Sequence, residues 1–193
     1  MQSSKFARRI FALVLFAVLM PVTARAEVEK VEMKCEKGPC VKWFPKVTPP
    51  RAWHYDEDES AEQGVKVFAP DDMHSDMRMY TYAIQKTDKP ALRTLDDVIV
   101  HEKENYKEGQ AMEGKPLSTL DGKKLRTFLY ATKGEIRWDQ ASYGEEGQFY
   151  VVFAITTNGL YELTRYVNDY SSFVGSYRVT AAEPPKQKPK AKQ

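Results

Sequence analysis

Between residues 135 and 179 the hydrophobic pattern changes period once, and that change divides the stretch into a β-hairpin and an amphipathic helix. Residues 136–142 and 148–155 hold Ile136, Trp138, Phe149, Tyr150, Val151, Val152, Phe153 and Ile155, the aromatic and β-branched types that suit a pleated surface. Gly144-Glu145-Glu146-Gly147 between them reads as the turn. After Asn158-Gly159, Leu160, Leu163, Val167, Tyr170, Val174 and Tyr177 recur at spacings of three and four, which puts them on one side of a helix.

The same two periods organise what precedes. Residues 65–70 alternate as a short strand closed by Pro70, after a turn-like acidic cluster at Asp56-Glu57-Asp58-Glu59. Residues 78–84 form a stronger strand, with Tyr80, Tyr82 and Ile84 on one face and Met79, Thr81 and Ala83 on the other. Thr94-Leu95-Asp96-Asp97 is a helix start, Thr94 as cap and Asp97 in the place of the capping-box carboxylate. Leu95, Val98, Ile99 and Tyr106 supply its buried stripe, and Gly109 is its expected stop. Residues 117–120 and 124–130 flank Asp121-Gly122, the strongest short hairpin signal in the chain.

Strands run ahead of one helix, further strands follow it, and a helix closes the domain. That order predicts an α+β fold, a mostly antiparallel sheet with helices packed on it. No Gly-rich phosphate loop and no regular βα alternation is present, which removes the dinucleotide and P-loop classes. The Trp53 region, the 65–70 strand, the Thr94 helix start, the Asp121-Gly122 hairpin and a last helix ending in Ser176-Tyr177-Arg178-Val179 together resemble the PsbP-like superfamily, which includes the bacterial DcrB-like exported proteins. The resemblance covers residues 51–179. It implies an α/β/α sandwich and an accessory or assembly role without catalysis, although fold alone does not transfer function.

The N-terminus changes the picture of charge. Lys5, Arg8 and Arg9 precede an apolar run from Ile10 to Val22, and Ala24-Arg25-Ala26 is a cleavage signature, so residues 1–26 read as a signal peptide. The run is shorter than the roughly 20 residues that span a bilayer. Arg8-Arg9 followed by Phe11 leaves the twin-arginine route open beside the secretory one. Cleavage removes Lys5, Arg8, Arg9 and Arg25 and no acid, so the formal charge of +2 becomes −2. A near-neutral chain lacks the field that nucleic-acid binding needs. The expected organisation is an extension over 27–50, one α+β domain over 51–180, and a Pro/Lys-rich disordered tail over 181–193. Exported to the periplasm or beyond, the chain is expected to be soluble, and its tail could touch anionic envelope polymers or act only as a solubilising end.

Candidate chemistry is sparse. Cys35 and Cys40 bracket a Gly-Pro turn and, in an oxidising compartment, read as a disulfide that closes a small loop. Four residues intervene where a redox pair would have two, and two cysteines do not make a zinc site. His54, His74 and His101 show no ligand spacing, and the 56–59 cluster lacks the glycine and spacing of a calcium loop. Ser142 and Ser176 lack a nucleophile elbow, and Glu145 and Glu146 read as solvated turn residues. No catalytic residue, cofactor or metal ligand is therefore assigned. The aromatics are more informative, because this many tyrosines need hydroxyl partners if they are buried. Trp43, Trp53, Tyr80 and Tyr82 are the candidate partner-binding residues. The leading expectation is a non-catalytic envelope protein that binds another envelope protein or polymer. The alternatives are a small-molecule or metal-ion binder using His54, His74 and the 56–59 cluster, and a hydrolase whose site is not visible in sequence.

Overall fold

The structure, a computed structural model, describes residues 28–35, 38–72, 76–86, 92–106, 109–132 and 137–178, without the side chains of 34 and 35. The signal-like N-terminus, His74 and the lysine-rich tail lie outside these residues, as does the side chain of Cys35.

Among the described residues, ten strands and three helices follow in chain order: β1 Val28–Cys35, β2 Gly38–Pro45, β3 Trp53–Asp56, α1 Glu57–Gln63, β4 Lys66–Pro70, β5 Arg78–Gln85, α2 Leu95–Glu104, β6 Gln110–Glu113, β7 Leu117–Ser118, β8 Lys124–Ala131, β9 Trp138–Glu146, β10 Phe149–Thr157 and α3 Leu160–Gly175. β1 and β2 make a two-stranded ribbon, and the large sheet runs β3-β4-β5-β10-β9-β8-β6, with β7 also on β8. Every pairing is antiparallel.

The sheet is covered on both faces, because its central strands place apolar residues at odd and even positions alike. On one face Phe68, Met79, Leu125, Val151, Phe153 and Ile155 meet Leu163, Tyr170, Phe173, Val174 and Tyr177 of α3. On the other, Phe128, Tyr130, Ala141, Tyr143, Val152 and Ala154 meet Val98 and Ile99 of α2. The result is the α/β/α sandwich with a mostly antiparallel sheet. Burial at this scale stabilises by about 25 cal/mol per Å² of apolar surface, and two helices anchored by such cores fix the sheet between them. The β1–β2 ribbon adds Val28 to the α3-side core, with Trp43 tilted against Phe149 at 4.9 Å and Lys66 bonded to Glu29 at 2.9 Å.

Several local expectations hold in detail. Thr94 accepts from the Asp97 amide while Asp97 accepts from the Thr94 amide, the reciprocal capping box. Tyr80, Tyr82 and Ile84 do share a face opposite Met79 and Ala83. Other expectations change. The acidic cluster is the start of α1, with Asp56 as cap accepting from the Glu59 amide at 2.9 Å and acids stabilising the first turn. The 144–147 turn is displaced: β9 continues to Glu146, pairs with Phe149, and leaves only Gly147-Gln148 as connection. Gly147 has φ 52°, the left-handed region a tight hairpin turn needs. Glu146 is consequently buried at 5 % exposure, and only Glu145 is solvated, paired to Lys86 at 2.6 Å. β6 is an additional edge strand, tied to β8 and α2 through Arg126, which bonds both Glu113 and Asp96.

Candidate functional site

The register of the sheet creates a depression on its α2 face. Tyr80 of β5 lies opposite Ala154 of β10, which lies opposite Ala141 of β9. One row along, Thr156 lies opposite Asp139, and Asp139 opposite Tyr130. Two adjacent alanines are too small to fill the space between Tyr80 and the bulky side chains of β8. α2 then passes overhead and ends at Glu104, so that Glu102, Asn105 and Tyr106 come down beside the gap. The outcome is a cavity of about 260 Å³ lined by Tyr80, Tyr82, Glu102, Asn105, Tyr106, Thr132, Arg137 and Asp139.

Hydrogen bonds hold this lining. Tyr106 stacks on Tyr130, with centroids 4.5 Å apart at 12°, and donates its hydroxyl to Asp139 Oδ2 at 2.5 Å. Arg137 Nε donates to Asp139 Oδ1 at 3.2 Å, and its Nη2 to Thr156 at 3.4 Å. Asp139 is 1 % exposed, and this pair of donors is what makes a buried carboxylate tolerable there. Tyr82 donates to Glu102 Oε1 at 2.8 Å, and Asn105 Nδ2 reaches Glu102 Oε2 at 3.5 Å. Burial pushes the Tyr80, Tyr82 and Tyr106 phenols well above their ordinary value, and the carboxylates add to it: Asp139 for Tyr80 and Tyr106, Glu102 for Tyr82. The three phenols stay protonated, and among its described residues the pocket sets two carboxylates against one guanidinium.

Of the aromatics singled out in the sequence, Tyr80 and Tyr82 come together here. Trp53 is 6 % exposed, donates to Asp169 at 3.1 Å and meets Tyr166 edge-on at 6.0 Å, so it joins β3 to α3. Trp43 is half-buried against Phe149 under the ribbon. The register sets Met33 opposite Cys40 and Cys35 opposite Gly38.

The other candidate groups have structural partners. His54 pairs with Asp71 at 2.9 Å on the surface, Glu59 pairs with Arg78 at 2.5 Å, and Asp56 caps α1. Among the described residues, no three His, Cys, Asp or Glu side chains are grouped to hold a metal ion. Ser142 is wholly buried, bonded to Thr127 and to Tyr170, both at 2.9 Å, and Ser176 ends α3, accepting from the Thr48 amide. A second cavity, also about 260 Å³ but apolar, lies on the α3 face between Leu160, Leu163 and Val167 and the β8 residue Leu129.

Sequence reasoning missed Glu102, Asn105, Arg137 and Asp139 as pocket residues and took Tyr106 for core alone. One signal for Asp139 was present: it shares its strand face with Ala141 and Tyr143, an acid at an inward position of an otherwise apolar strand.

No protein-family model matches the chain, and no curated protein matches it. Among solved structures, the chain is similar to the solution structure of cyanobacterial PsbP (CyanoP) from Synechocystis sp. PCC 6803, at 17% sequence identity and a TM-score of 0.43, over 83% of this chain and 96% of that one. No described helix is long and apolar enough to cross a membrane.

Proposed function

We propose that this protein is a non-catalytic, exported binding or accessory protein of the bacterial cell envelope, and that it engages its partner at the tyrosine pocket between α2 and the sheet. The observation that carries the reading is the convergence of Tyr80, Tyr82 and Tyr106 with Glu102, Asp139 and Arg137 around one small opening. Aromatic rings with polar ends are the side chains that interfaces favour, since they give contact area at small entropic cost. At about 260 Å³ the pocket is smaller than the roughly 300–1,000 Å³ of drug-sized sites, so it suits one side chain or one small group of a partner. Its carboxylates are held by tyrosines and an arginine, an arrangement for recognition. The signal-like residues 1–26 support export, and the Cys35–Cys40 bridge belongs to the same proposal as a local staple of the ribbon.

Affinity capture from the organism's own envelope, comparing the tagged protein with its Tyr80→Phe/Tyr82→Phe variant, tests the site. The species retained by the wild type is expected to fall several-fold with the variant, whose fold circular dichroism should show intact. Equal capture by both would remove the pocket from the interface.

A further inference from the structure

The hydrogen-bond inventory of the tyrosine pocket determines the sign of what fits it. A phenol has one proton to donate and keeps lone pairs that accept. Tyr82 donates its hydroxyl to Glu102 and Tyr106 donates its hydroxyl to Asp139, so each hydroxyl has only acceptor capacity left for a visitor. Glu102 is a carboxylate, an acceptor only, and its contacts are a phenol at 2.8 Å and an amide at 3.5 Å; no cation pairs with it among the described residues. Arg137, the one cation among the described lining residues, turns its Nε to Asp139 and its Nη2 to Thr156. Over its described residues the lining therefore sets two carboxylates against one guanidinium, one negative charge in excess, with the acceptors of Glu102, Tyr82 and Tyr106 beside it.

We infer that the pocket binds a primary ammonium group, carried by a lysine side chain of a partner or by a small free amine. Three N–H donors match the free lone pairs of Glu102, Tyr82 and Tyr106. The positive charge balances Glu102, and aromatic rings at the opening favour a cation over a neutral donor. The volume holds an alkylammonium stem and head, and little more. The field is consistent with this: the negative charge of Glu102 contributes to raising the phenols of Tyr80, Tyr82, Tyr130 and Tyr143 alike. This inference rests on the proposed role of the pocket and names the chemistry it recognises.

The test is a titration of the isotope-labelled full mature chain, followed by amide NMR shifts, with n-butylammonium chloride, tetramethylammonium chloride and sodium butyrate. Butylammonium is expected to give saturable shifts confined to Tyr80, Tyr82, Glu102, Asn105, Tyr106, Arg137 and Asp139, with a Kd on the order of 1 mM. Tetramethylammonium, which has no N–H, should bind about tenfold more weakly or worse, because hydrogen bonds to charged groups are lost. Butyrate should shift none of these amides. Glu102→Gln retains the acceptor for Tyr82 and removes the charge, so it should weaken butylammonium by about tenfold while leaving the spectrum dispersed. N-acetyl-lysine methylamide and putrescine, run in parallel, distinguish the sources, the tighter of them identifying a peptide lysine or a free amine. Absence of saturable butylammonium shifts overturns the inference, and so does binding of butyrate in its place. If butylammonium fails while envelope capture still depends on Tyr80 and Tyr82, the ammonium assignment falls and the proposed site stands.

Discussion

At the scale of single residues, the same amino acid serves opposite ends, and only register tells which. Gly144 and Gly147 look alike in sequence, two glycines bracketing two acids. Gly147 supplies a left-handed turn, whereas Gly144 is needed for space: a Cβ there would lie 2.4 Å from Leu125 Cδ2 and 3.5 Å from Val151 Cγ2. Leu125 is 2 % exposed and has little room to retreat. Gly144→Ala is thus expected to destabilise the domain by about 1–3 kcal/mol in chemical denaturation, the usual cost of overpacking. The tyrosines give a second prediction. Burial raises the phenols of Tyr80, Tyr82, Tyr106, Tyr143 and Tyr170 well above 10.0, and that of Tyr130 up to about 12. Unfolded phenols ionise near pH 10, so this stability is fully present below about pH 10 and is lost as pH rises through and beyond it. The phenolate absorbance of the buried set should appear in step with the loss of circular dichroism. Complete ionisation near pH 10 with the fold retained would contradict it.

Among elements, periodicity located α2 and α3 but not α1, whose acidic residues read as a turn, and it placed the buried faces less well. The α3 stripe read from spacing included Leu160 and Val167 and omitted Phe173. In the structure Leu160 is 48 % exposed, Val167 is half-buried at the apolar cavity, and Phe173 is fully buried against Phe68 and Phe153. Spacings of three and four fit both sets, and the position of the sheet decides between them. This separates two substitutions that sequence alone makes equivalent. Val174→Asp, at a wholly buried position, should cost on the order of 4 kcal/mol or more and leave the domain largely unfolded, whereas Val167→Asp should cost about 1–2 kcal/mol, both read by thermal or denaturant melts. The Thr94 cap was legible because its hydrogen bonds are local, and Thr94→Ala should cost about 1 kcal/mol in the same melts. β6 was not legible: its four residues are all exposed, so no hydrophobic alternation marks them.

For the molecule as a whole, the sandwich could be read from the chain because its two cores come from patterns repeated strand after strand. The pocket could not, because it is assembled from β5, the end of α2, β9 and the residue before it, around two alanines that no sequence pattern distinguishes. Tyr80 and Tyr82 were within reach, being alternate aromatics on one strand, but their partners are separated from them by about the length of an element or more. Binding at this pocket and not on the α3 side is the proposition that matters most. Site-specific photo-cross-linking in the native envelope tests it directly, with a photoreactive phenylalanine derivative placed either at Asn105, on the pocket rim, or at Tyr161, which is 82 % exposed on α3 across the sheet. A discrete adduct from position 105 and none from position 161 is the expected result; an adduct from position 161 alone, or equal adducts from both, would contradict it.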